Sequence, residues 1–218
     1  MRGRDVVLES LVAHGVEFLF GNPGTTESPL TDNLGAYPTL SYILSLHEGV
    51  SVGAASYYAQ ASGRTGIVNL HVAPGLGNAI GMMYGALKAN SPMIVTAGQQ
   101  DTRLRLRAPL LGHDLAAMAA PVVKWSIQPE HADECADIMR RAFKIAHDPP
   151  AGPVFVALPI NVMEQETENL AIPGGMLYRT PGVDPVAVQD LAQHLLGAKA
   201  PAIVIGDDVA RADAGDTV

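Results

Sequence analysis

The sequence predicts an α/β fold: a parallel sheet with helices on both faces, followed by the start of a second α/β domain. Three observations carry that reading. Short apolar runs rich in Val, Ile and Leu alternate with longer amphipathic or Ala-rich stretches, as strands and helices do when joined by short connections. Most of the short runs lack strict polar–apolar alternation, which is the pattern of strands buried on both faces. Near residue 165 the texture turns polar and then Pro- and Gly-rich, after which a helix pattern and an apolar run begin again.

The elements follow in order. A helix over 4–14 carries Val6, Leu8, Leu11 and Val12 on one face, with Asp5 at its start. "VEFLFG" (16–21) and "SYILSL" (41–46) read as strands, then 49–62 as a helix. "IVNLHV" (67–72) is the third strand, and a helix over 78–89 leads to "MIVTAG" (93–98). A helix over 131–147, stopped by Pro149 and Pro150, precedes the strand "VFVALP" (154–159). The first domain is therefore 1–165, a linker occupies 166–183, and 184–218 begins a truncated middle domain. There Asp184 is placed to cap a helix with Pro185 at its first position, running to Gly197. "AIVIG" (202–206) reads as a buried strand. A lone strand cannot bury its own face, so the sequence reads as part of a longer protein.

Composition narrows the function. Hydrophobic residues make up 48% and charged residues 17%, which suits a packed globular core. The net charge is −8 with no basic stripe, which argues against a nucleic-acid partner. The opening "MRGRDVVLESLVAHG" is charged too often for a signal peptide, and no apolar run is long enough to span a bilayer, so no membrane partner is expected. The single cysteine, Cys135, cannot form an internal disulfide; it reads as a half-buried helix thiol in a cytoplasmic protein. The seven histidines are scattered without paired-ligand spacing, so no metal site is expected. No G-x-S-x-G nucleophile elbow occurs.

In open parallel sheets, ligands bind beyond the carboxyl ends of the strands, and three loops there carry candidate chemistry. In "FGNPGTTESPL" (20–30), Asn22, Pro23 and Gly24 make a tight turn, and Thr25 or Thr26 can cap the next helix with Glu27 nearby. Capping and ligand contact both account for these threonines. The second loop carries Glu48 between an apolar run and a small-residue helix. Taken alone, it reads as a carboxylate reaching water at a helix N-terminus, where the dipole favours it; a buried acid there would need a partner. In "NLHVAPGLGNAIG" (69–81), Gly75 and Gly77 allow a ligand close to the backbone, Asn78 starts a helix, and His71 ends a strand. Gln99 and Gln100 can face the same crevice, and "GHD" (112–114) can edge a pocket.

In their order these segments carry more than they do singly. "FGNPGTTE", "LHEGVSVGAASYYAQASG", "NLHVAPGLGNA", "SPMIVTAGQQ", "PVVKWS" and "GPVFVALP" together resemble the N-terminal pyrimidine-binding domain of thiamin-diphosphate-dependent enzymes, over residues 3–165. Within that family, "GNPG" followed by a hydroxyl residue, "NLH" and "VKWS" are most similar to the benzoylformate decarboxylases, with the acetolactate synthases as the neighbouring pattern.

The resemblance implies thiamin diphosphate and Mg2+ as cofactors, and a 2-oxo acid, aromatic or other, as the small-molecule substrate. Glu48 matches the glutamate that hydrogen-bonds N1′ of the aminopyrimidine. His71 matches an active-site histidine that moves protons. Thr25 matches a serine that contacts substrate, here with an added methyl group. Pro23, Gly24, Gly75, Gly77 and Asn78 match positions beside the pyrimidine. The diphosphate and Mg2+ belong in this family to a C-terminal domain with a Gly-Asp-Gly motif, which does not occur here. Sites shared between subunits imply a homodimer or homotetramer, with the fragment alone inactive and prone to self-association. Two alternatives stay open: an acetolactate synthase-like carboligase and a non-catalytic ligand-binding module.

Overall fold

The computed structural model describes residues 1–175 and 182–217. The chain divides into two compact units, Met1–Leu177 and Tyr178–Val218. The first is built on six strands: β1 (Phe18–Gly21), β2 (Ser41–Leu44), β3 (Gly66–Leu70), β4 (Met93–Gln99), β5 (Ser126–Ile127) and β6 (Pro153–Pro159). They lie in the order β2-β1-β3-β4-β6-β5 and every pairing is parallel. The expected α/β class therefore holds for this unit.

Parallel strands need crossover connections, and the helices between them cover the two faces. Helices α1 (Gly3–Ala13), α2 (Ser28–Thr31), α6 (Cys135–His147) and α7 (Ile160–Glu164) pack on one side. Their core joins Val6, Leu8 and Leu11 to Met139, Ala142 and Phe143. Helices α3 (Glu48–Ser62), α4 (Val72–Lys88) and α5 (Leu115–Ala119) cover the other, around Val52, Val68, Leu76, Met83 and Phe155. Each large side chain fully buried in these layers contributes about 1.5–3 kcal/mol. Strands β3, β4 and β6 are buried along their whole length, which explains why their sequences lack polar–apolar alternation. Strand β2 differs: it is an edge, and Ile43 and Leu44 are exposed.

Three local readings need correction. Strand β5 was not anticipated; two half-buried residues at a sheet edge are too few to set a periodicity. Helix α4 begins at Val72, not at residue 78. Its buried residues Val72, Leu76, Ala79, Met83 and Ala86 recur at helical spacing, and their packing outweighs the low helix propensity of Gly75 and Gly77. Pro74 is tolerated because it lies in the first turn. Finally, "AIVIG" forms no strand: Ile203, Val204 and Ile205 are exposed, and no strand lies beside them among the described residues of their unit. A strand exists by pairing, and its apolar composition alone does not supply a partner.

The second unit contains α8 (Pro185–Gly197) and α9 (Asp207–Arg211). As expected, the Asp184 carboxylate caps α8 by accepting from Val186 N at 2.9 Å, with Pro185 first in the helix. In the expected linker, Glu166 bridges to Arg2, and Thr167 and Asn169 hydrogen-bond to Asp133, so these residues lie on the first unit. Residues 176–181 of that linker lie outside the described residues. No described helix is long and apolar enough to cross a membrane.

Candidate active site

The strand order reverses at β1, which has β2 on one side and β3 on the other. The crevice beyond the carboxyl ends of β1 and β3 is the switch point where open parallel sheets take ligands. Two of the loops singled out above leave the sheet there: residues 22–27 after β1 and His71 after β3.

Glu48 is the first residue of α3 and only 7% exposed. A buried carboxylate is costly unless something donates to it. Asn78 Nδ2 donates to Oε2 at 3.0 Å, and Asn22 Nδ2 reaches Oε1 at 3.4 Å. The α3 dipole adds to these. Two donors leave part of the carboxylate's acceptor capacity unused. His47, beside it, caps α3: its Nδ1 accepts from Gly49 N at 3.0 Å. A Cβ at Gly75 would come within 3.3 Å of Glu48 Oε1, so the absence of a side chain there keeps room at the acid. Asn78 therefore contributes a side chain from within α4; it does not start the helix or offer a free loop backbone. A Cβ at Gly77 would come within 3.4 Å of Met118 on α5.

A second cluster lies across the same turn. Glu27 is fully buried. Its Oε2 accepts from Gly24 N at 2.7 Å and lies 2.8 Å from His71 Nδ1, while its Oε1 accepts from the Thr26 hydroxyl at 2.8 Å. Thr26 Oγ1 is also 3.3 Å from His71 Nδ1. Thr25 is exposed at the same turn, and it is Thr26 that joins the network. The sequence singled out Thr25 and His71 and left Glu27 as a neighbour; its one signal was its place in "GNPGTTE", 44 positions from the histidine it meets.

Backbone shape completes this cluster. A Cβ at Gly24 would overlap the His71 ring, and one at Gly98 would overlap the Glu27 carboxylate and the Thr26 hydroxyl. Val72, directly after His71, is fully buried with φ of +40°, where β-branched residues are rarely found. Such a conformation costs on the order of 1–3 kcal/mol and persists only where surrounding packing dictates it. Beneath both clusters, Asn69 Nδ2 donates to Thr96 Oγ1 at 3.0 Å, and Tyr42 Oη lies 3.3 Å from Asn69 Oδ1. Burial, with the nearby Glu27 charge adding to it, holds the Tyr42 phenol well above its ordinary range, so it stays a neutral donor.

A cavity of about 470 Å³ lies farther along the sheet, lined by Gln99, Gln100, Arg105, His113, Asp114 and Glu130 among others. Gln99 and Gln100 thus face this cavity, and "GHD" edges it; Glu48 and His71 do not line it. Among the described residues, no group of three or more His, Cys, Asp or Glu could hold a metal ion.

These features define a cofactor-binding α/β domain whose switch-point crevice holds two buried acids, Glu48 and Glu27, and the histidine His71 that meets the second. The chain belongs to the thiamine pyrophosphate enzymes: the family model for their N-terminal TPP binding domain matches residues 1–125. It is 37% identical over 215 residues to the benzoylformate decarboxylase of Pseudomonas aeruginosa, covering 94% of this chain and 39% of that protein. It is 28% identical over 210 residues to the acetolactate synthase large subunit of Lactococcus lactis, covering 95% of this chain and 36% of that one. The crystal structure of benzoylformate decarboxylase from Polynucleobacter necessarius superposes with a TM-score of 0.91 at 32% identity, covering 98% of this chain and 40% of that one. The chain thus spans about two fifths of the length of the relatives it matches.

Proposed function

We propose that this chain supplies the pyrimidine side of the active site of a 2-oxo acid decarboxylase of the benzoylformate decarboxylase type, releasing CO2 and an aldehyde from an aromatic or other 2-oxo acid. The observation that carries the reading is Glu48: a buried carboxylate, held by two asparagine side chains, with acceptor capacity left toward a crevice. Those residues fit an aminopyrimidine. Glu48 would hold a shared proton at N1′, with Pro23, Gly24 and Gly75 shaping the walls around it. When bound, thiamin diphosphate supplies the nucleophilic carbon and the electron sink for loss of CO2.

The remaining work falls to the chain's own groups. His71 moves a proton at the substrate-derived oxygen, a role suited to an imidazole. The Thr25 hydroxyl, exposed at the crevice mouth, contacts the substrate. Diphosphate and Mg2+ are assigned, as the resemblance implies, to sequence beyond these residues. We also assign the protein to a homodimer or homotetramer. That reading is supported by Leu46, Val50 and Tyr57, which are 96%, 61% and 72% exposed on and just before α3.

The test is CO2 release by the full-length protein with thiamin diphosphate and Mg2+, offering benzoylformate, pyruvate and branched 2-oxo acids in turn, beside Glu48→Gln. Release from an aromatic substrate that is lost in the variant is the expected result. Release from pyruvate alone, with an acetohydroxy acid as product, would move the protein to the acetolactate synthase-like carboligases. Turnover retained in Glu48→Gln would overturn the assigned role of that acid. Specific ligand binding without turnover would mark a non-catalytic module.

A further inference from the structure

We infer that Glu27 is a positioning residue that fixes both the orientation and the tautomer of His71, so that the ring presents an unprotonated Nε2 to the crevice. The inference deepens the decarboxylase reading and rests on it for the use to which that nitrogen is put.

The geometry runs one way. Glu27 is fully buried, and both of its oxygens are already acceptors, of the Gly24 N–H at 2.7 Å and the Thr26 hydroxyl at 2.8 Å. His71 Nδ1 lies 2.8 Å from Oε2 and 3.3 Å from Thr26 Oγ1. A bare Nδ1 would set its lone pair against the carboxylate's. A protonated Nδ1 donates to it, so the neutral ring carries its hydrogen on Nδ1 and its lone pair on Nε2. No described residue hydrogen-bonds Nε2, and the side chain keeps 27% of its surface open.

Sterics fix the ring plane. Gly24 lies against the ring where no Cβ fits, Gly98 lies against the carboxylate in the same way, and the left-handed turn at Val72 sets the direction in which His71 leaves the sheet. An acid merely balancing a buried charge would need neither glycine. His71 therefore enters the reaction as a proton acceptor and becomes a donor only after taking a proton, which Glu27 then stabilises as an ion pair.

Histidine-selective 15N NMR on this chain reads the tautomer directly, above about pH 8 where an ordinary imidazole is neutral, with His71→Gln used to assign the resonance. The expected result is one species, hydrogen on Nδ1 and Nε2 bare, giving way in Glu27→Gln to a mixture that includes the Nε2–H form. If Glu27→Gln does not fold, Glu27→Asp, which withdraws the acid without removing it, replaces it. Nε2–H as the main wild-type form, or an unchanged tautomer in the variant, would overturn the proposal. In the full-length enzyme, Glu27→Gln should lower kcat by about 10²-fold while KM changes less than about threefold. A variant that melts earlier but keeps its kcat per folded molecule would mean a structural role only. The NMR result stands whether or not the protein decarboxylates, so failure of the functional reading is seen separately.

Discussion

Asn78, on the second turn of α4, donates to Glu48 Oε2 at 3.0 Å and so ties the two helices that flank the crevice through the acid between them. The other donor, Asn22, is longer at 3.4 Å. Asn78→Ala removes the closer donor from the buried Glu48 carboxylate and should lower folding stability by about 1–3 kcal/mol. It should also weaken thiamin diphosphate binding by the full-length protein roughly tenfold, the scale of one hydrogen bond to a charged group. Calorimetric titration on the folded variant beside a thermal melt separates the two effects. A lower melting temperature with cofactor binding unchanged would mean that Asn78 supports the fold and not the acid's work in the site.

Gly98, next to last in β4, lies against the Glu27 carboxylate. Gly98→Ala inserts a methyl group where two buried polar atoms already sit, and overpacking of this kind costs about 1–3 kcal/mol. Urea denaturation should give a lower midpoint with an unchanged slope. Wild-type stability in Gly98→Ala would mean that the Glu27 side chain has room to move.

Cys135 packs into the core at 1% exposure, where burial pushes its thiol up to about 12, with the Glu134 and Asp133 charges adding to the effect. The unfolded chain releases this proton first, so as pH rises above about 9 the folded state binds more protons and stability falls by about 1.4 kcal/mol per pH unit from this group. Denaturation at pH 8 and pH 10 should show the fall, and Cys135→Ala should reduce it. A thiol reagent at pH 8 should label the cysteine only after unfolding.

His14 moves the opposite way. Its ring stacks on Phe143 with centroids 3.9 Å apart, and burial lowers its proton affinity against a smaller opposing pull from its hydrogen bond to Ser10. The unfolded chain takes up this proton as pH falls through about 6.5, so stability is fully present above that value and declines below it. His14→Phe keeps a ring at the contact and should flatten stability between pH 7 and pH 5. A slope identical to wild type would place the pH dependence elsewhere.

Much of this was legible before any coordinates. The sheet could be read because β3, β4 and β6 are buried on both faces and so leave mostly apolar runs without alternation. Glu48 could be found because the order of the motifs around it carried a family resemblance; taken alone, an acid at a helix N-terminus reads as one reaching water. Glu27 could not, since a carboxylate after two threonines looks like helix capping until the fold brings His71 against it. The start of α4 was hidden for a related reason: "APGLG" carries three helix-disfavouring residues, and only the packing of Val72 and Leu76 overrules them. "VKWS" was read as part of a family pattern, but its lysine is structural here. Lys124 Nζ donates to the carbonyls of Ile145 and Asp148, closing the carboxyl end of α6.

The left-handed turn at Val72 makes the crevice answerable to the interior. A backbone held in an unfavourable conformation by its neighbours relaxes when they loosen, and Val72 is fully buried at the start of α4, the helix whose Leu76 and Ala79 belong to one apolar layer with Leu70 and Phe155. Trimming that layer would therefore let His71 swing without altering a single residue that meets a ligand. Inherited or engineered variants that lose activity need not map to the crevice wall, and a search for them should extend one layer down, beneath α4.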